Sequence, residues 1–246
     1  MKKILLFFIL IISSIIVKAQ GDYNFSPLAV GGGVSLIRGY TNVAKQENTL
    51  SGNVNFNYYY TPYMPLTAEL QFGRLEGGST QTDEYKRQYT NNYKALILHA
   101  DIQLGQLIDY SYSDFWNVMK NCYGGTGVGL VFDNVQNQRT NLIPEPGEPI
   151  GSYTFPGTDH STDFLIPLRA GYEFKFFNEY DEPYIRIDIE YEHNIVFNEG
   201  LDGYDDPPNH FKNEHPDQYR SITLAFKYNF GRIRAATKRI RGYHGW

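Results

Sequence analysis

The chain has 246 residues, with 22 Lys and Arg against 27 Asp and Glu. That acidic balance argues against a general nucleic-acid binder, which needs clustered positive charge. Its one cysteine, Cys122, excludes an intrachain disulfide framework.

The N-terminus has the pattern of a cleaved export signal. Met1, Lys2 and Lys3 form a basic start, and the stretch from Ile4 to Val17 is apolar apart from Ser13 and Ser14. That run has 14 residues, short of the roughly 20 that a spanning helix needs. Lys18, Ala19 and Gln20 follow, and cleavage is expected after Ala19, which makes residues 1–19 the signal peptide. No cysteine lies near that point, so lipid attachment to an N-terminal cysteine is excluded. The mature chain then holds about 225 residues, a size for one domain. Losing Lys2, Lys3 and Lys18 leaves 19 basic against 27 acidic residues, a net charge of −8. No later apolar run is long enough for a membrane helix. Yet the chain carries 21 Tyr and 16 Phe, and Tyr favours membrane interfaces.

Strands point successive side chains to opposite faces, and this chain alternates repeatedly. Gly-rich residues 28–37 form the first predicted strand. In the second, Val54, Phe56, Tyr58 and Tyr60 oppose Asn53, Asn55 and Asn57. In the third, Leu66, Ala68, Leu70 and Phe72 oppose Glu69 and Gln71. In the fourth, Leu96, Leu98, Ala100, Ile102 and Leu104 oppose His99, Asp101 and Gln103. Gly-rich residues 123–132 form the fifth. In the sixth, Leu168, Ala170, Tyr172, Phe174 and Phe176 oppose Arg169, Gly171, Glu173 and Lys175. In the seventh, Ile185, Ile187, Ile189 and Tyr191 oppose Arg186, Asp188, Glu190 and Glu192. In the eighth, Ile222, Leu224, Phe226, Tyr228 and Phe230 oppose Thr223, Ala225, Lys227 and Asn229. The glycines are expected to leave room for long side chains from the facing wall.

Eight strands, an even number, predict an all-β, eight-stranded antiparallel transmembrane β-barrel over residues 20–230. A soluble lipocalin-like barrel satisfies the same period with its faces exchanged. The connections decide between them. Short links near residues 61–65, 109–117 and 178–182 alternate with long ones near 40–49, 77–92, 134–162 and 198–218. Short periplasmic turns and long external loops are the outer-membrane rule. Both termini then lie in the periplasm. Tyr58, Tyr60, Tyr63, Phe115, Trp116, Phe176, Tyr184, Tyr228 and Phe230 fall at the short-turn end, where an aromatic girdle belongs.

A family resemblance follows from these residues. The leader ending in KAQ, the strand AVGGGVSL, the segment TAELQFGRLEGG and the closing ITLAFKYNF resemble small outer-membrane barrels of Bacteroidota, of the PorG type linked to type IX secretion. The likeness spans Pro27 to Phe230, and its glycines and alternating aromatics recur across OmpA/OmpX-like barrels. It implies an outer-membrane location and a secretion-linked role. Tyr228 and Phe230 resemble the terminal signal read by barrel-assembly machinery. The chain departs from the pattern by continuing 16 residues past Phe230.

Glu69, Asp101, Arg169, Glu173, Lys175, Arg186, Asp188, Glu190, Glu192 and Lys227 form the expected interior charge network. An eight-stranded barrel is just wide enough to be filled by side chains, so these ten are read as a salt-bridged plug rather than a pore. His99 and Asp101 share a face but lack a nucleophile. Asp159, His160, Ser161 and Asp163 have the residue types of a hydrolase, although neighbours on a loop do not make a triad. Asp202, Asp205 and Asp206 carry carboxylates suited to calcium, without the full spacing of a calcium loop. The stretch IPEPGEP reads as an extended external loop. Residues 231–246 form a basic periplasmic tail with Arg232, Arg234, Lys238, Arg239 and Arg241, suited to acidic headgroups, cell-wall polymer or an acidic secretion subunit. The chain is thus expected to be a non-enzymatic anchor or accessory component of an envelope or type IX secretion complex, without cofactor, metal or nucleic acid. Its expected partners are outer-membrane lipid, the barrel-assembly machinery, and periplasmic secretion-complex subunits or cell-wall polymer. A small transport or lipid-interacting barrel and a lipid-modifying enzyme are the alternatives.

Overall fold

The computed structural model describes residues 22–83, 85–110, 113–137, 149, 151, 154–205 and 216–237. Among the described residues, ten strands and two short helices run in the order β1 (Asp22–Phe25), β2 (Leu28–Tyr40), β3 (Asn48–Thr61), β4 (Met64–Gly78), β5 (Gln88–Gln103), α1 (Leu104–Leu107), α2 (Asp114–Met119), β6 (Cys122–Asn137), β7 (His160–Phe177), β8 (Pro183–Val196), β9 (Gln218–Phe230) and β10 (Arg234–Thr237). Strands β2 to β9 close an eight-stranded antiparallel barrel, each paired with its sequence neighbour and β2 with β9. β1 and β10 pair separately as a two-stranded ribbon. No described helix is long and apolar enough to cross a membrane.

Alternation sets which way the wall faces. Val54 and Phe56 of β3, Leu70 and Phe72 of β4, and Leu224 and Phe226 of β9 are exposed on the outside. Their sequence neighbours Asn53, Asn55, Glu69, Gln71, Thr223 and Lys227 are buried inside. The outward apolar run on β9 covers residues 222–230, matching the roughly 9–11 residues of a tilted spanning strand. A soluble barrel has the opposite polarity, so this belt is built to face lipid.

Three features differ from the sequence reading. First, the strands run further at the long-loop end. β5 starts at Gln88, inside the expected loop 77–92, and β7 starts at His160, inside the expected loop 134–162. Secondly, the connection from β5 to β6 is built from α1 and α2, and the expected strand residue Leu104 opens α1. Thirdly, the segment expected as a basic tail includes β10, whose Arg234 pairs with Phe25 and whose Thr237 pairs with Asp22. Lys238, Arg239 and Arg241 lie outside the described residues, as does the signal segment 1–19.

Local chemistry explains the turns and the glycines. Between β7 and β8, Asn178 Oδ1 accepts from the backbone N–H of Tyr180 at 2.9 Å and of Glu182 at 3.0 Å. This side-chain turn holds Asp181 at φ 56°, a left-handed conformation that Asp tolerates. On β6 the inward Gly125 and Gly127 sit beside Asp101 and His99 of the adjacent strand. A Cβ at Gly127 would come within 2.7 Å of the His99 Cα and Cβ, and one at Gly125 would strike the Asp101 carboxylate. The space therefore serves side chains of the neighbouring strand, not of the facing wall.

Candidate functional site

The ten charged residues singled out above all lie inside the barrel wall, where alternation turns them inward together. Arg169 on β7 is the hub. Its guanidinium hydrogen-bonds the carboxylates of Glu190 and Glu192 on β8. It also lies 3.7 Å from Glu69 and 3.5 Å from Asp101. Nearer the short-turn end, Arg186 pairs with Glu173 at 2.5 Å and covers the ring of Tyr59 at 4.0 Å. Lys227 reaches Asp188 at 2.6 Å and Glu173 at 3.6 Å. Lys175 donates to Gln103 at 2.6 Å and stands 3.8 Å from Glu173. Neutral groups take up further capacity. Gln71 Nε2 donates to Glu192 at 2.7 Å and to Glu69 at 2.8 Å, and Tyr59 donates to Glu173 at 3.2 Å. Burial of unpaired charge is costly, so charges in a dry wall are tolerated only when paired and hydrogen-bonded like these.

The network fills its space. The void among Asn55, Glu69, His99, Arg169, Glu190 and Lys227 is about 10 Å³, room for about one water. His99, between Asp101 at 3.2 Å and Glu69 at 3.8 Å, is buried among carboxylates. Among the described residues the pair has no serine or cysteine nucleophile beside it.

Buried apolar residues pack at both ends of the barrel. At the short-turn end Phe25, Ala29 and Tyr59 form a buried cluster with Ala236 of the ribbon packed against it. At the long-loop end, Ile37, Leu75, Tyr93, Ile97, Leu165 and Tyr219 point inward as an apolar core. The loop after β8 folds over it. Leu201 and Tyr204 are buried there, Asn91 Nδ2 donates to the Leu201 carbonyl at 3.0 Å, and Tyr204 donates to the Gln88 carbonyl at 3.0 Å. This apolar plug was not expected from a charge-balanced interior. Its signal was present on β5, where Tyr89, Asn91, Tyr93, Ala95 and Ile97 alternate with Thr90, Asn92 and Lys94.

The hydrolase-like segment is not assembled as a triad. His160 and Ser161 lie on β7 rather than on a loop, so alternation sends them to opposite faces. Ser161 Oγ instead donates to Asp163 at 2.6 Å and sits 3.2 Å from Asp133. Asp163 is buried and accepts from Asn198 Nδ2 at 2.7 Å. These contacts tie the loop after β8 to the barrel rim.

The acidic loop is split by burial. Asp202 is buried, Asp205 is exposed, and Asp206 lies outside the described residues. Asp202 accepts from the Tyr204 N–H at 2.9 Å, and the buried Asp217 accepts from the Leu201 N–H at 3.0 Å. Burial holds the Asp217 carboxyl well above its usual range, with Asp202 and Glu199 adding to the effect. Burial likewise raises Glu199 to about 7, with help from Asp202 and Asp205. Among the described residues no group of three or more His, Cys, Asp or Glu is arranged to hold a metal ion.

Tyr60, Phe115, Trp116, Phe176, Tyr184, Tyr228 and Phe230 of the expected girdle are exposed at the short-turn end, and Tyr58 is half-buried. Tyr63 does not belong with them. It is 4% exposed, packs at Gly105, and donates to the Tyr110 hydroxyl at 2.9 Å. Sequence reading missed that α2 presents Phe115, Trp116 and Val118 outward together, an apolar patch at the same end.

No protein-family profile matches the chain, and no curated protein matches it. Solved structures with similar architecture include Neisserial surface protein A, over 86% of this chain and 100% of its own, at 9% identity and a TM-score of 0.46. Ail, the attachment invasion locus protein of Yersinia pestis, is similar over 86% and 99%, at 12% identity and a TM-score of 0.43. The outer membrane protein OprG from Pseudomonas aeruginosa is similar over 85% and 98%, at 9% identity and a TM-score of 0.37.

Proposed function

We propose that this chain is an outer-membrane β-barrel with both termini in the periplasm, and that it works without catalysis as an anchor or accessory component of an envelope or secretion complex. The observation that carries this reading is the filled interior. A network around Arg169 leaves room for about one water, and buried apolar clusters lie toward both ends among the described residues. A barrel filled in this way acts through what it presents at its two ends.

The location is supported by the export signal, the outward apolar belt and the alternation of short and long connections. The PorG-type likeness rests on sequence residues and points to type IX secretion as the setting. Expected partners are outer-membrane lipid, the barrel-assembly machinery acting on Tyr228 and Phe230, and periplasmic secretion subunits or cell-wall polymer. The filled interior favours this reading over transport, and the placement of His160 and Ser161 on opposite faces of β7 favours it over lipid modification.

Affinity purification from gently solubilised membranes tests the proposal. Envelope or secretion subunits are expected to co-purify in fixed ratio. A chain that brings no partner, and that carries steady current in planar bilayers, overturns it.

A further inference from the structure

The two ends of the chain meet at the foot of the barrel's closing seam. β2 and β9 pair from Tyr40↔Gln218 down to Leu28↔Phe230, and the β1–β10 ladder begins just beyond, at Phe25↔Arg234. The chain has to pass from wall to ribbon on both sides of this point. Gly231 does so at φ 104°, a conformation that suits glycine. The crossing leaves a cavity of about 510 Å³ lined by Pro27, Leu28, Tyr58, Arg232, Ile233 and Arg234.

The cavity has two chemistries side by side. Leu28, Pro27 and Ile233 give it an apolar wall that continues upward into the lipid-facing belt at Tyr228 and Phe230. Arg232 and Arg234 are exposed at its other edge. Arg234 donates to the Tyr58 hydroxyl at 3.0 Å and lies 5.7 Å from that ring's centroid. These contacts steer the guanidinium, and no carboxylate pairs with it among the described residues. Arg232 has no ion-pair partner among the described residues. Inside the barrel, by contrast, Arg169 and Arg186 rest on carboxylates. Two guanidinium groups with no carboxylate partner among the described residues, beside an apolar wall and level with an aromatic girdle, fit a ligand with an anionic head and a hydrocarbon body. Guanidinium is the side-chain cation best matched to phosphate oxygens.

We propose that this seam cavity binds one anionic phospholipid of the periplasmic leaflet, with Arg232 and Arg234 on its phosphate and its acyl chains along Leu28 and Phe230. The leaflet assignment rests on the topology proposed above; the site itself does not. A lipid held there fastens the foot of the seam, where the first and last barrel strands meet.

The test uses the full mature chain in nanodiscs of phosphatidylcholine with a minor fraction of phosphatidylglycerol. Lipids retained on the barrel after gentle extraction are counted by native mass spectrometry. Phosphatidylglycerol is expected to be enriched over its share. The Arg232→Gln/Arg234→Gln variant is expected to lower that enrichment roughly tenfold or more, the scale for removing two basic residues at a membrane surface. Arg38→Gln/Arg220→Gln, a cationic pair at the opposite end of the same seam, is expected to leave it unchanged. Enrichment that survives loss of Arg232 and Arg234, or that is absent from the wild type, overturns the proposal. Displacement of the lipid by millimolar inorganic phosphate overturns it too, since the acyl wall then contributes nothing. Heat-modifiable gel mobility reports whether each variant is folded. Arg232→Gln alone keeps the test valid if the double variant is not. A wild-type chain that fails to enter bilayers sinks the membrane assignment instead, and protease access to the ribbon in whole cells reads the leaflet separately.

Discussion

The membrane-level section of this barrel and the section beyond it are built on opposite polarities from the same strands. On β4, Leu66, Leu70 and Phe72 face out while Glu69 and Gln71 face in. Two residues further along, Arg74 faces out and the buried Leu75 faces in. β5 makes the same exchange, from Leu98 out and His99 in, to Lys94 out and Tyr93 in. The cross-strand register places these switches side by side, with Phe72 opposite Lys94 and Lys94 opposite Phe132. The medium outside each section explains its polarity. Where lipid touches the wall, polar groups go inside and must pair with each other. Where water touches the wall, the hydrophobic effect restores an apolar interior.

The comparison can be broken at four points. The largest effect is expected from Arg169→Met, which strips the cation from Glu190 and Glu192. Leaving buried charges unpaired costs about 3–5 kcal/mol, measurable by urea unfolding of the barrel in vesicles. In the outer section, Leu75→Ala removes a fully buried side chain and is expected to cost about 2–5 kcal/mol in the same assay. A much smaller loss there means that the apolar plug is not dry and packed.

The third test contrasts two outward positions. Leu98→Arg puts a charge against the lipid core and is expected to cost about 2–4 kcal/mol. Arg74→Leu, past the switch, is expected to change stability by no more than about 0.5 kcal/mol. Equal costs for the two overturn the polarity boundary. The smallest effect is a pH response of the loop after β8. Glu199 is raised from 4.5 to about 7, so the folded loop holds its proton more tightly than the unfolded one. The stabilisation is complete below about pH 4.5 and is lost as pH rises through about 7. Exchange at the Leu201 and Tyr204 amides, corrected for the intrinsic pH effect, is expected to accelerate across that window. Glu199→Gln is expected to flatten the response.

The strands were legible because alternation is a local property, readable from a few neighbouring residues. The interior charges were legible as a set, since one parity carries them all. Their pairing was not. That Arg169 meets Glu192 follows from the β7–β8 register, which places those two residues opposite each other. The outer ends of β5 and β7 were read as loop because the rule that apolar means outward fails past the switch. Tyr89 and Tyr93 then look misplaced rather than inward-facing. The ribbon was illegible for another reason. Asp22–Phe25 and Arg234–Thr237 are four residues each, too short to show a period, and they find each other only because the barrel brings its ends together.

The seam has a consequence in time. Every other wall pairing joins neighbours in sequence, so those hairpins can form as soon as their strands are available. The β2–β9 ladder and the β1–β10 ribbon join the first and last described segments of the chain. Closing such long loops is slow, and the ladder cannot begin before residues 218–230, nor the ribbon before residues 234–237, have been synthesised. The barrel's circumference is therefore completed last, at one place. The ribbon joins the same two ends of the chain and so belongs to the same late closure.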